Sequence, residues 1–221
     1  MIAQFAKRIR RLVRLGVDLM GDWLYGIDTF QAGPLPLARE CSRFGDGYVN
    51  GPVSYWILYS YLDCKKLRTG EVFYDIGCGD GRVLCMVARH RIAKCVGIEL
   101  SEAFAAKARA NAKSLRGRLA PIEVRVGDAV EMDYSDGTTF YFGDPFGADT
   151  MLAVLNCIHG TLVSNPRPVQ CIFVLPIAEK SNTVRQVIAT NGWLQYIGHK
   201  YLRYSGMGAE YWAFAPQCSK Q

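Results

Sequence analysis

The sequence lacks several patterns that assign proteins to familiar classes. Its eight cysteines form no C-x-x-C pair, it contains no internal repeat, and it has no charge-free apolar run of about 18 residues. Two of its three histidines, His159 and His199, have no neighbour in sequence that suggests a catalytic pair. These absences argue against a metal site, a disulfide framework and a membrane-spanning helix. They favour buried free thiols in a reducing, cytoplasmic compartment.

The excess of basic over acidic residues is also small. The formal net charge is +6, and beyond residue 40 there is no lysine- or arginine-rich run. This excess is too small to indicate a nucleic-acid partner by itself. A length of 221 residues, half of them hydrophobic, allows one sizeable core. We therefore expect an N-terminal helix and linker over residues 1–40, followed by one domain over residues 41–221.

The first 16 residues have the pattern of a basic amphipathic helix. Apolar residues recur at helical spacing, interleaved with five lysines and arginines and no acid. Three interpretations are open: a terminal helix docked on the domain by its apolar stripe, a helix in peripheral contact with an anionic membrane, or an organelle transit peptide. A secretory signal is not favoured, because the apolar segment is too short and too charged.

The most informative segment is Val72-Phe-Tyr-Asp-Ile-Gly-Cys-Gly-Asp-Gly-Arg82. Its β-forming residues predict a buried strand, its alternating glycines predict a loop on which a ligand lies directly, and a helix follows from Arg82. The dinucleotide fingerprint needs a third glycine where Arg82 stands. Asp75 would repel a phosphate but attract an ammonium group. The loop therefore indicates an amino-acid-bearing nucleoside rather than a nicotinamide cofactor.

Strands and helices alternate after this loop, which predicts an α/β fold with a mostly parallel sheet and helices on both faces. Two strand-like segments at the end, 193–201 and 209–215, predict a closing antiparallel hairpin. The predicted strands are 71–76, 94–99, 122–126, 138–143 and 169–175, and the predicted helices are 52–64, 82–90, 101–116, 148–163 and 180–191.

The loop resembles the first motif of the class I S-adenosylmethionine (SAM) methyltransferases. The chain as a whole is similar to a bacterial group of small class I methyltransferases, through Tyr25-Gly-Ile-Asp-Thr29, Gly97-Ile-Glu-Leu-Ser101, Gly127-Asp-Ala129, Asp144-Pro-Phe-Gly147 and Pro166-Arg-Pro168. This resemblance implies a Rossmann-like, seven-stranded fold with SAM as cofactor. It implies that Asp75 binds the methionine ammonium, Glu99 the ribose hydroxyls, and Asp128 with the Ala129 amide the adenine. The full set of cofactor-binding residues implied is Asp75, Gly77, Cys78, Gly79, Gly81, Glu99, Leu100, Asp128 and Ala129.

The methyl acceptor is expected beside the fourth strand, at Asp144-Pro-Phe146. This segment partly resembles a motif of amino-directed nucleic-acid methyltransferases and partly a region of the non-SET histone-lysine methyltransferases. On that resemblance Asp144 would orient an acceptor and Phe146 would contact it, with Tyr48 as a further group that could help an amine arrive neutral. A plain turn after a buried strand is the alternative.

These patterns favour a SAM-dependent methyltransferase that acts on a nitrogen or oxygen of a protein side chain or small molecule. Two alternatives stay open: a non-catalytic SAM-binding interaction module and an RNA or DNA amino-methyltransferase. A nicotinamide-dependent oxidoreductase is disfavoured by Arg82.

Overall fold

In the computed structural model, residues 2–29, 46–47, 52–202 and 205–216 are described. Cys41, Tyr48, Cys218 and most of the predicted linker lie outside these residues. The six cysteines within them are free thiols, and all but Cys157 are buried.

One seven-stranded sheet forms the centre of the domain, with the order β3-β2-β1-β4-β5-β7-β6. Every predicted strand is present, with ends that differ by two residues at most. The strands are β1 Val72–Ile76, β2 Lys94–Glu99, β3 Ile122–Val126, β4 Thr139–Phe142, β5 Val169–Pro176, β6 Gln195–Tyr201 and β7 Met207–Phe214.

The sheet is parallel from β3 to β5 and antiparallel at the predicted hairpin. Strand β7 pairs antiparallel with both β5 and β6, so the last strand of the chain lies inside the sheet and β6 lies at its edge. Strand β1 lies between β2 and β4, and the chain order along the sheet reverses there. In sheets of this kind, ligands bind at the carboxyl ends of the strands beside this switch point.

Helices cover both faces of the sheet, as predicted, and each face has its own apolar core. Alternate strand residues divide between the cores: Phe73 and Cys95 join one with α2, α3 and α4, while Tyr74 and Val96 join the other with α5 and α6. The helices are α1 Ile2–Tyr25, α2 Tyr55–Tyr61, α3 Arg82–Val87, α4 Glu102–Ser114, α5 Ala148–Ser164 and α6 Asn182–Thr190.

Helix α2 begins three residues later than the sequence predicts. The Ser54 hydroxyl and the Tyr55 N–H both donate to the Asp18 carboxylate, each at 2.8 Å. A carboxylate from a distant helix therefore satisfies the first amide of α2, and Pro52 lies outside the helix.

Helix α1 is longer than predicted and docks by the opposite face. Asp18 and Asp22 point to the domain, and Gly21 lets the Tyr55 ring pack so closely that a Cβ at position 21 would lie 2.4 Å from it. Of the three interpretations, docking by the apolar stripe is wrong for the side chains that the structure describes. Seven apolar side chains of α1 are 44–69% exposed: Ile9, Leu12, Val13, Leu19, Met20, Trp23 and Leu24.

Candidate functional site

The glycine loop joins β1 to α3 at the switch point of the sheet. Its start is fixed by β2, since the Gly77 and Cys78 amides both donate to the Ile98 carbonyl at 2.9 Å. Gly77, Gly79 and Gly81 all have positive φ, between 51° and 80°, which favours glycine. A Cβ at Gly77 would lie 2.6 Å from Pro145 Cβ, whereas one at Gly79 would meet nothing within 4 Å. The loop thus packs against the β4 end at Gly77 and faces open space at Gly79.

Glu99, at the end of β2, ties the glycine loop to the second strand. One carboxylate oxygen accepts from the Gly79 amide at 2.8 Å, and the other accepts from the Ser101 amide at 3.0 Å. Burial raises the pKa of Glu99, against the lowering effect of these hydrogen bonds. Because a carboxylate has about four acceptor positions, Glu99 has the capacity to accept further donors from a ligand.

The ends of β2 and β3 complete this edge. The Gly127 amide donates to the Glu99 carbonyl at 3.0 Å, which joins the two strand ends. Asp128 accepts from the Val130 amide at 3.1 Å and caps a 3-10 turn that starts at Ala129. Leu100, Asp128 and Ala129 are all half-buried along the same edge. The structure thus brings the predicted residues of three strand ends to one side of the sheet.

Asp75 is a buried carboxyl at the end of β1. It is 3% exposed, and its Oδ2 has no hydrogen-bond partner among the described residues. Burial, with the negative charge of Glu99 second, raises the pKa of Asp75 to about 8. Tyr141 lies opposite Asp75 in the β1–β4 register, and its buried hydroxyl likewise has no partner in the described part of the chain. Buried polar groups of this kind indicate a place where a ligand supplies the partner.

The predicted acceptor segment follows β4 and lies beside the glycine loop. Asp144 is buried and has φ 54°, in the left-handed region that asparagine and aspartate enter more readily than other side chains. Pro145 packs against Gly77. The Phe146 ring is buried and meets Phe142 edge-on, with centroids 6.4 Å apart. Asp144 and Phe146 thus bracket the residue that contacts the loop.

A second segment crosses this turn and is absent from the sequence-based site. Gly47 forms an antiparallel bridge with Phe146, and the Gly147 amide donates to the Asp46 carbonyl at 2.9 Å. The Asp46 carboxylate accepts from the hydroxyl and the amide of Thr150, in the first turn of α5. Asp46 therefore fixes the turn that carries Asp144, although nothing local in the sequence marks it.

Arg82 links the glycine loop to the N-terminal helix. Its side chain is 4% exposed, and the guanidinium lies 3.4 Å from both Asp18 and Asp22 and donates to the Thr29 hydroxyl at 2.7 Å. It also stacks on the Tyr55 ring, 4.6 Å from the centroid. The sequence indicates Arg82 only as a missing glycine. In the structure it anchors α1 to the first residue of α3.

Comparison with known proteins agrees with this arrangement. A family model described as "Methyltransferase domain" matches residues 73–142, which run from β1 to the end of β4 and include the glycine loop, Glu99 and Asp128. This segment therefore matches a methyltransferase domain, and the sheet around it has the class I methyltransferase fold. The predicted fold class and cofactor of this domain are confirmed.

Two solved structures have the same fold as the methyltransferase domain. An RNA methyltransferase from Salinibacter ruber with S-adenosyl-L-homocysteine has a TM-score of 0.51 and 22% identity, covering 77% of this chain and 97% of its own. A magnesium protoporphyrin IX methyltransferase from Synechocystis with bound SAM has a TM-score of 0.52 and 16% identity, covering 76% and 88%. At these identities the likeness establishes only the fold. RNA and magnesium protoporphyrin IX are the acceptors of those two proteins and are not assigned to this chain.

A curated relative is a protein-lysine N-methyltransferase from Saccharolobus islandicus, strain REY15A. It is 29% identical over 90 residues, which are 39% of this chain and 54% of the relative. The matched region of the methyltransferase domain thus spans about half the length of that relative.

The residues at the switch point fit SAM. The unpartnered Asp75 oxygen suits its ammonium group, the open space at Gly79 suits close approach to the backbone, and Glu99 can accept from ribose hydroxyls. When bound, SAM supplies a methyl group on a sulfonium, which is already a good electrophile. No group of three or more metal-ligating side chains is present in the described part of the chain.

The affinity for SAM is expected to rise with pH. Since the pKa of Asp75 is about 8 in the free protein, most of its carboxyl groups are protonated at lower pH, and the ionised form that attracts an ammonium group increases as pH rises through this value. Calorimetric titration should show the dissociation constant falling about tenfold per pH unit between about pH 6 and 7, and levelling above about pH 8.

The Asp75→Asn variant provides the control for this titration. It has the same size and cannot ionise, so it should bind SAM more weakly and with little pH dependence over the same range. An unchanged pH slope in Asp75→Asn would assign the titration to another group.

Proposed function

We propose that this protein transfers the methyl group of SAM to an amine nitrogen on a protein side chain. The observation that carries the proposal is the close packing of Pro145 against Gly77 of the glycine loop, because the buried acid Asp144 precedes Pro145 directly and so lies next to the loop. An acid in a left-handed turn beside a cofactor site is typical of a functional position.

The charge of the site supports a cationic acceptor over a phosphate-bearing one. Glu99, Asp128 and Asp144 all end or follow strands at the carboxyl edge of the sheet. Among the described residues, two cations beside the loop are held by acids: Arg82 by Asp18 and Asp22, and Lys107 by Asp80 at 3.1 Å. A polyanionic nucleic acid would be repelled at such an edge, whereas a lysine side chain would be attracted. The protein-lysine methyltransferase with 29% identity supports the same acceptor.

The protein's contribution to such a transfer is mainly alignment. The glycine loop and Glu99 would hold the cofactor. The acceptor ammonium would first lose a proton to water, and Asp144 would then accept a hydrogen bond from the neutral nitrogen so that its lone pair faces the methyl group. The turn is held in place by Asp46, which bonds Thr150 and Gly147. A fixed turn lowers the entropy that must be lost when acceptor and cofactor align.

The acceptor class can be tested with methyl-labelled SAM. The purified protein is incubated with a cell lysate separated into protein, RNA and dialysable fractions, and label is followed in each. We expect label in the protein fraction and methyl-lysine after acid hydrolysis. Label in RNA or in the small-molecule fraction would contradict the protein acceptor, and SAM binding without transfer to any fraction would favour the non-catalytic module.

Removal of the Asp144 carboxylate should separate transfer from binding. Asp144→Ala is expected to lower the transfer rate about 100-fold or more, since a positioned polar group contributes roughly this factor. The SAM dissociation constant should stay within about twofold. Asp144→Asn keeps a hydrogen-bond acceptor and tolerates the left-handed backbone, so it should retain more transfer activity than Asp144→Ala. Equal losses of transfer and SAM affinity would show that Asp144 only supports the fold of the loop.

A further inference from the structure

Helix α1 presents an apolar surface that the domain does not cover. We define the α1 stripe as Ile9, Leu12, Val13, Leu19, Met20, Trp23 and Leu24, whose side chains are 44–69% exposed. These positions recur at intervals of three, four and seven residues, so they share one side of the helix. Trp23 lies within this stripe and is 69% exposed. A contiguous apolar stripe of this extent on a protein surface indicates an interaction site.

The α1 stripe is not exposed because the helix has lost its contact with the domain. Helix α1 is already anchored by its other side, where Asp18 and Asp22 pair with the buried Arg82 and bond Ser54, Thr29 and Tyr55. Because these contacts use the polar side of the helix, they hold the α1 stripe on the side that faces away from the domain.

The charge of α1 matches an anionic surface. Residues 1–17 contain five lysines and arginines and no acid, and the exposed Arg8 and Arg14 are among them. The acids of the helix, Asp18 and Asp22, face the domain in the pairs with Arg82. The exposed part of α1 therefore combines apolar residues with positive charge. This combination is typical of helices that lie in the plane of a membrane interface.

We propose that α1 binds the surface of a bilayer rich in anionic lipids, with the stripe in contact with the acyl chains. The helix of 24 residues is about 36 Å long, long enough for the stripe to insert along its length. Among the described residues, no helix is long and apolar enough to cross a membrane, so the attachment proposed is peripheral. Trp23 supplies the aromatic ring that favours the interface.

Vesicle co-sedimentation of the full chain tests this proposal. Vesicles of about three parts phosphatidylcholine to one part phosphatidylglycerol are compared with pure phosphatidylcholine, at low and at high salt. We expect binding to the anionic vesicles that weakens with salt, and little binding to the neutral ones. A blue shift of tryptophan emission that is lost in Trp23→Phe would place the stripe in the bilayer.

A pair of matched variants tests whether vesicle binding depends on the α1 stripe or on any exposed apolar side chain. Leu12→Gln with Val13→Gln removes two aliphatic side chains, each 61% exposed, and should weaken vesicle binding at least about tenfold. Val163→Gln, at a 71% exposed position on α5, should leave binding unchanged. All these variants should keep the wild-type affinity for SAM, which verifies the fold.

Three outcomes would overturn the proposal. They are absence of binding to the anionic vesicles, equal binding by the double variant, and self-association that the double variant relieves without any vesicle binding. The last outcome would assign the stripe to a second copy of the chain.

Discussion

Replacing Arg82 with leucine is expected to lower the free energy of unfolding by about 3–5 kcal/mol, the loss typical when one partner of a buried ion pair is removed. Leucine fills part of the space but leaves Asp18 and Asp22 without their cation, and Asp22 is itself buried. The Thr29 hydroxyl also loses its donor. Urea unfolding followed by circular dichroism measures the loss directly.

Two further variants make this result specific. Arg109→Leu removes an arginine whose pair with Glu102 is exposed, so it should change the stability by about 0.5 kcal/mol or less. Adding Asp18→Asn and Asp22→Asn to Arg82→Leu removes the two carboxylates that have lost their cation, so it should recover part of the lost free energy of unfolding. A loss below about 1 kcal/mol for Arg82→Leu alone would show that Arg82 does not anchor α1.

Replacing Gly79 with arginine is expected to abolish SAM binding, with a loss of affinity of at least about 100-fold. A Cβ at this position meets no protein atom within 4 Å, so the substitution fills the space in front of the loop rather than the core. The amide of Gly79 donates to Glu99, so a side chain there projects from the point where the loop and β2 meet. Calorimetric titration with SAM and S-adenosylhomocysteine measures the effect.

Gly192→Arg is the matched control for this substitution. Gly192 also has positive φ and open space around its Cβ position, but it follows α6, outside the glycine loop. Both variants should therefore have a similar backbone strain of about 1 kcal/mol, and only Gly79→Arg should lose the ligand. Micromolar SAM binding by Gly79→Arg would show that the cofactor does not lie on this loop.

The strands and the gathering of the strand-end residues at one edge could be predicted because their signals are local. A β-forming run followed by Gly77, Gly79 and Gly81 specifies a strand and a turn within a few residues. Glu99 and Asp128 each follow their own strand directly, and parallel strands bring such positions to one edge.

The contacts that position the site could not be predicted, because they join distant segments. The pairs of Arg82 with Asp22 and of Asp46 with Thr150 connect residues that periodicity does not relate. The docking face of α1 could not be predicted for the same reason. An apolar stripe is the usual docking face of a helix, but here the buried ion pairs of Arg82 hold the opposite face against the domain. Tyr141 has no signal in the sequence beyond a hydroxyl between two phenylalanines.

The place of β7 between β5 and β6 has a consequence for biosynthesis. As the chain leaves the ribosome, β6 emerges before the strand that connects it to the sheet, and residues 207–214 must follow before either neighbour is paired. Until then the backbone edge of β5 is open to strands of other nascent chains. Strand β7 thus completes the sheet and closes that edge in one step. A polypeptide released before Met207 would keep the backbone edge of β5 unpaired and open to aggregation, even if its glycine loop had formed correctly.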